Sequence, residues 1–366
     1  MGAGVVGLAC AVEVARSGRR VVVVEKNVAP GQETSARNSQ VIHAGLYYPR
    51  GSLKALCCVE GRELLYARCA RLGIPHRAIG KLVVATCDAE VETLEEIGRR
   101  AEENGAPVQW RDRNEVARLE PAVRAVAALW SPRTGIVDAH ALVQSYRAEL
   151  DSLGGVVALR TRVVELERRA ASWGVSTVGQ AGESFSFEVP VVVNAAGLAS
   201  DRIAELAGVD VDACGWRLRF CKGDYFGLEP GRATPTHHLV YPVPAGGGLG
   251  AHVTIDLGGR VRFGPDAEYV EEPSYRVDPA KRGRFAEAVR RYLPEIVAAD
   301  LHPEMAGVRP KLSGPGEAVA DFVVAESSAV GAPGMVQLIG IESPGLTASP
   351  AIARRVAALV RSCFDA

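Results

Sequence analysis

Gly2, Gly4 and Gly7 open the chain as G-x-G-x-x-G, and Glu25 closes the strand-like run Val21–Val24 that follows an apolar helical stretch. These residue types at this spacing suit a dinucleotide. The first glycine permits a tight turn, the second lets backbone approach a pyrophosphate, and the third lets helix and strand pack closely. The helix N-terminus then faces the phosphates, and the Glu25 carboxylate can accept from a ribose hydroxyl. Asn27–Tyr48 follows with neither helical nor strand period, rich in small and polar residues. Ser35, Arg37, Asn38 and Ser39 offer donors there to phosphate and to the polar edges of a flavin-like ring, and His43 titrates near neutrality. A long loop of this kind beside a nucleotide site is suited to function.

A second set of chemical groups lies further along. Lys222, Asp224, Tyr225, Tyr241, His252 and Asp256 are embedded in the alternating stretches Arg217–Leu228 and Leu239–Phe263. Arg309 and Lys311 flank Pro310 at period two, where two cations on one face clamp an anionic substrate or else line a solvent-exposed edge. Pro190–Gly197 reads as an apolar strand running into a small-residue turn, suited to close approach to a cofactor. Met335–Gly340 reads the same way and enters a long helix near Gly345, so the amides of Gly345, Leu346 and Thr347 point at an anion or carbonyl above the sheet.

Elements must position these groups. Helical spacing predicts helices over Ser52–Leu72, Asp88–Asn104 with a stop at Gly105, His140–Leu153, Ser200–Gly208 and Ala280–Tyr292. Lys81–Thr86 reads as a strand, and Ala125–Ser131 with Gly135–Asp138 as strands of a different, antiparallel sheet. Val156–Arg160 and Arg162–Leu166 fit strands re-entering the first domain, and Ser172–Thr177 with Phe185–Val189 suits a hairpin. The fold class is α/β, α+β overall: a Rossmann-like parallel-sheet domain with an inserted antiparallel-sheet domain. The fingerprint normally follows a strand that is central in order 3-2-1, and here Met1 immediately precedes Gly2. The expectation is that the natural chain starts upstream of Met1.

Composition bounds the possibilities. A chain of 366 residues favours two domains over one core, and 48% hydrophobic with 23% charged residues describes a soluble globular protein. A net charge of −1 exerts no broad pull on nucleic acid or anionic lipid. Eight cysteines without a C-x-x-C pair argue against a metal site and against a disulfide framework, so reduced thiols in a cytoplasmic protein are expected. No apolar run reaches membrane-spanning length.

GAGVVGLA at Gly2–Ala9, TSARNSQVIHAGLYY at Thr34–Tyr48, NAAGLASD at Asn194–Asp201 and GIESPGLTAS at Gly340–Ser349 resemble the FAD-dependent D-amino-acid-oxidase superfamily. KGDYF at Lys222–Phe226, GLGAHVTIDLGG at Gly248–Gly259, FGPDAEYV at Phe263–Val270 and AGVRPKL at Ala306–Leu312 resemble its L-2-hydroxyglutarate dehydrogenase/oxidase branch. The resemblance covers essentially the whole chain. It implies FAD as cofactor, oxidation of L-2-hydroxyglutarate to 2-oxoglutarate, and quinone or oxygen as electron acceptor, with peripheral contact at the inner membrane face where quinone serves. It implies an FAD-binding domain of residues 1–75, 139–210 and 305–366 and a substrate domain of residues 76–138 and 211–304. By the same resemblance Gly2, Gly4, Gly7, Glu25 and Lys26 hold the ADP half, and Ser35, Arg37, Asn38 and Ser39 line the ribityl–flavin region. Val164 meets the adenine side, Ala195 and Gly197 the pyrophosphate side, and Gly345, Leu346 and Thr347 the flavin carbonyl edge.

The chemistry needs a base for the hydroxyl proton and cations for two carboxylates. His43 is the expected base, with a covalent flavin linkage through His43 as the competing role, since some relatives attach FAD through a histidine in this region. Lys222, His252, Arg309 and Lys311 are the expected carboxylate partners, with Tyr48, Tyr225 and Tyr241 as donors. Two other readings stand beside this one: an amine, amino-acid or glycerol-3-phosphate oxidoreductase of the same superfamily, and an N-terminally shortened, cofactor-free, non-catalytic protein.

Overall fold

The computed structural model describes residues 1–244 and 251–365. The helix Val5–Arg16 is apolar on nearly every side, which is the pattern of a helix surrounded by protein. It packs against the helices Ala139–Ser152 and Gly345–Asp365, and the helix Leu53–Leu72 packs on Gly345–Asp365, so the four form one core. Ser52 caps the helix Leu53–Leu72 by accepting from Ala55 N, and Gly73, in the left-handed region, ends it.

Two small parallel pairings lie beside this core. Strand Val22–Val24 pairs with Val156–Ala158, and Val192–Asn194 pairs with Met335–Gln337 of the strand Ala332–Ile339. Met1 and Gly2 bridge them: the Met1 amine donates to Val193 O at 2.7 Å, Ala195 N donates to Met1 O at 3.0 Å, and Gly2 N donates to Val24 O at 2.8 Å. The pairing Val192–Asn194 with Met335–Gln337 is largely buried, whereas the first pairing is buried at Val23 and Val24 and exposed at its Val22 and Val156 end.

The second core is a nine-stranded sheet that includes Lys81–Ala85, Ala127–Ser131, Arg219–Leu228 and Leu301–Lys311. Alternation along Lys81–Ala85 divides its side chains. Leu82 and Val84 join Phe285, Val289 and Tyr292 on one face, while Val83 and Ala85 join Leu46, Leu94 and Ile97 on the other. Lys81 shares the face of Val83 and Ala85.

Three pairings were not legible in the sequence, because strand partners are chosen by long-range contacts. Leu239–Pro242 pairs parallel with Lys81–Ala85, so the large sheet is mixed. Thr161–Arg168 joins the hairpin Trp173–Gly179 and Ser184–Val189 in a separate antiparallel sheet. Ala127–Ser131 and Gly135–Val137 enter different sheets, the latter pairing with Val41–Ile42 and His76–Arg77. The extended run around Arg309 belongs to the strand Leu301–Lys311, which pairs with Arg219–Leu228. Of the Gly248–Gly259 motif, residues 248–250 lie outside the described residues.

Candidate active site

Backbone packing accounts for the glycine fingerprint. Gly2 has φ +94°, and a Cβ there would stand 2.5 Å from the Ala195 carbonyl. A Cβ on Gly7 would stand 2.1 Å from the Gly2 carbonyl, so turn, helix and second strand exit touch backbone to backbone. Gly4 is the N-cap of its 12-residue helix, and Ser35 Oγ accepts from Val5 N at 2.9 Å. Glu25 is buried, its oxygens accepting from Ala3 N at 2.7 Å and Asn27 N at 2.8 Å, which holds the carboxylate at the turn. Lys26 pairs with Glu33 at 2.7 Å on the surface. Gly197 has φ +56° with open space where a Cβ would stand, and Val164 lies half-buried in its strand. A turn with no room for side chains at Gly2 and Gly7, a helix N-terminus and a buried carboxylate beside it together fit a dinucleotide cofactor.

The loop that follows is organised by Asn38. Its amide donates to Thr34 O at 3.1 Å and Ser35 O at 2.7 Å, and its carbonyl accepts from Gln40 N at 2.8 Å. Arg37 stacks over Tyr275 at 4.3 Å, and its carbonyl abuts Gly307, where a Cβ would stand 2.3 Å away. This contact seats the loop on the strand that carries Arg309. Ser39 Oγ and Tyr225 Oη share a hydrogen bond of 2.8 Å. Thr347 Oγ1 accepts from His43 N at 3.0 Å and donates to Val41 O at 3.2 Å, tying the C-terminal helix to the loop. Gly345 and Leu346 precede it in the first turn of that helix. The His43 ring is half-buried, its Nε2 3.4 Å from Ser343 Oγ. Burial, and then the charge of Lys81, push its pKa down to about 3, so the imidazole is uncharged at neutral pH.

The expected carboxylate partners fare differently. Lys222 is buried and pairs with Asp224 at 2.9 Å. Asp224 also holds Lys281 at 2.8 Å, and Lys281 reaches Asp266 and Glu268. The Lys222 ammonium is thus compensated inside the protein. Arg309 gives Nε to Cys221 O and Nη2 to the carbonyls of Lys222 and Asp266, while Nη1 has no hydrogen bond among the described residues. Lys311 stands opposite Arg219 in the strand pairing, half-buried. His252 is buried and stacks on Tyr241, ring centroids 3.6 Å apart and 8° from parallel.

Two groups escaped the sequence reading. Lys54 and Glu342 form a buried ion pair of 2.9 Å that holds the segment carrying Ser343 against the helix Leu53–Leu72. Lys81, only 1% exposed, lies between the rings of Tyr47 and Tyr241, its Nζ 4.7 and 4.6 Å from their centroids. No carboxylate pairs with it among the described residues. A cation leading the otherwise apolar run KLVVAT was the available signal. A separate cleft of about 340 Å³ lined by Arg16, Arg68, Tyr146 and Arg354 includes none of the site residues.

The chain is similar to known proteins along nearly its whole length. The pattern of the FAD dependent oxidoreductase (DAO) family matches residues 1–359. The mitochondrial L-2-hydroxyglutarate dehydrogenase of Arabidopsis thaliana is 40% identical, covering 98% of this chain and 82% of its own. The L-2-hydroxyglutarate dehydrogenase of Escherichia coli K12 is 27% identical over 99% of this chain and 92% of its own. Among solved structures, the FAD-bound L-alpha-glycerophosphate oxidase of Mycoplasma pneumoniae superposes with TM-score 0.88 at 27% identity, covering 98% of this chain and 93% of its own. Glycine oxidase from Geobacillus kaustophilus shares the fold, with TM-score 0.80 at 21% identity over 99% of this chain and 93% of its own. With a family match over residues 1–359 and a relative 40% identical across 98% of its length, this chain belongs to the FAD-dependent oxidoreductase family.

Proposed function

We propose that this enzyme oxidises the carbinol of a short 2-hydroxy diacid, L-2-hydroxyglutarate, to 2-oxoglutarate. The similarity of 98% of the chain to an L-2-hydroxyglutarate dehydrogenase at 40% identity carries this reading. The flavin, when bound, accepts hydride from the carbinol carbon and passes the electrons on. Everything else falls to side chains. Gly2, Gly4, Gly7, Glu25, Ala195 and Gly197 hold the nucleotide half, and Ser35, Arg37, Asn38, Ser39 and the helix start at Gly345–Thr347 hold the ring end. Residues 1–75, 139–210 and 305–366 supply these groups, and the large sheet supplies the substrate's surroundings.

His43 is the base in this reading. Its uncharged Nε2 accepts the hydroxyl proton as the carbinol is oxidised, and the nearby Lys81 charge disfavours a lasting imidazolium, so the proton moves on to solvent. Arg309 is the receptor for the carboxylate beside the carbinol, because its strand packs directly on the loop at Arg37 and its Nη1 is uncommitted. Quinone or oxygen takes the electrons, with a cytoplasmic location and peripheral membrane contact in the quinone case; no described helix is long and apolar enough to cross a membrane.

Anaerobic titration with L-2-hydroxyglutarate, followed by flavin absorbance, tests the reading. Bleaching with formation of 2-oxoglutarate supports it. Bleaching by glycerol 3-phosphate or an amino acid in its place overturns it in favour of the sibling chemistry. Colour released entirely on denaturation excludes a covalent linkage through His43.

A further inference from the structure

Inside a protein a charged ammonium is costly unless a counter-ion or several hydrogen bonds compensate it. The structure holds two buried lysines in one sheet, and only one is compensated. Lys222 has Asp224. Lys81 has two aromatic faces and no carboxylate among the described residues. Tyr47 comes from the loop that carries His43, Tyr241 from the neighbouring strand Leu239–Pro242, and His252 stacks on Tyr241. The ammonium thus lies close to the rings of the His43 loop and of the large sheet. An anion brought to it supplies the missing charge.

We propose that Lys81 is the receptor for the second carboxylate of the substrate, the one remote from the carbinol. This rests on the hydroxy-diacid reading above. Arg309, seated against the cofactor loop, takes the carboxylate adjacent to the reacting carbon. Lys81, rooted in the strand Lys81–Ala85 of the substrate-side sheet, takes the other. Specificity for a diacid over a monoacid then follows from charge: a substrate with a hydrogen in place of that carboxylate leaves a buried cation uncompensated. The groups facing Lys81 are His43, Tyr47 and Tyr241, with Cys58 from the helix Leu53–Leu72 and His252 behind Tyr241. Burial pushes Cys58 up to about 12, raises both tyrosines, and with Lys81 lowers His43 to about 3. Burial likewise lowers Lys81 itself to about 7. A bound carboxylate favours its charged form, so affinity for the diacid dianion is greatest below about pH 7 and falls above it.

The test is calorimetric titration of the FAD-loaded enzyme with glutarate and with butyrate, neither of which can be oxidised at a carbinol. For wild type, glutarate binds more tightly than butyrate. In Lys81→Met glutarate affinity falls about a hundredfold while butyrate changes less than about threefold, and Lys81→Arg recovers part of the loss. Flavin content and melting temperature of each variant show that the fold is kept. Should Lys81→Met not fold, the wild-type glutarate affinity as a function of pH decides: a fall above about pH 7 supports the proposal, and a flat profile overturns it. Equal loss for both acids overturns the remote-carboxylate assignment, and no loss for either overturns it outright. Lysine-dependent glutarate binding without bleaching by L-2-hydroxyglutarate keeps the subsite and removes the hydroxy-diacid reading. Absence of both removes both.

Discussion

Lys222 and Lys81 are both buried, both in the large sheet, and behave as opposites. Around Lys222 the chain supplies its own anions: Asp224 bridges Lys222 and Lys281, and Lys281 reaches Asp266 and Glu268. Around Lys81 it supplies only rings. A compensated cation holds strands together, and an uncompensated one waits for a ligand. Burial alone therefore does not mark a functional lysine; its lack of a counter-ion does.

The comparison breaks most sharply at Asp224, which is fully buried. Asp224→Asn leaves two lysines without their shared anion and lowers stability by about 3–5 kcal/mol, read by urea denaturation. His43→Gln lowers kcat for the hydroxy diacid by about 10²–10⁴-fold with flavin still bound, in stopped-flow reduction. Lys81→Met has the reverse signature to Asp224→Asn. Diacid turnover at low substrate falls about a hundredfold, while the melting temperature is unchanged or rises, because a buried charge has been replaced by an apolar chain of similar length.

The pH dependence of stability sharpens the same contrast. The folded-state pKa of Lys81, about 7, lies below its unfolded value of 10.5. Between these values the unfolded chain binds more protons, so wild-type stability rises with pH across that window, by at most about 1.4 kcal/mol per pH unit. Below about pH 7 the cost of burying the charged form is fully present. In Lys81→Met this rise is absent, which denaturation at pH 7 and pH 9.5 checks. The smallest effect is expected at Tyr225→Phe, which loses the 2.8 Å bond to Ser39 and costs about 1 kcal/mol in stability.

The sequence by itself determined the close-packed glycine turn, the helices around it and the family. Those features are local: glycine spacing sets backbone approach, and helical period sets which face is buried. Helix ends such as Ser52 and Gly73 follow from capping within a few residues. Strand partners were another matter. Nothing near Leu239–Pro242 in the sequence announces a parallel partner at Lys81–Ala85. Of the cations singled out, Lys222 and Arg309 look equally available in sequence, yet one is spent on Asp224 and the other keeps Nη1 open. Lys81 looked like the polar lead of an apolar strand. Only the tertiary structure decided its role, because whether a charge is paired depends on residues brought together from distant parts of the chain.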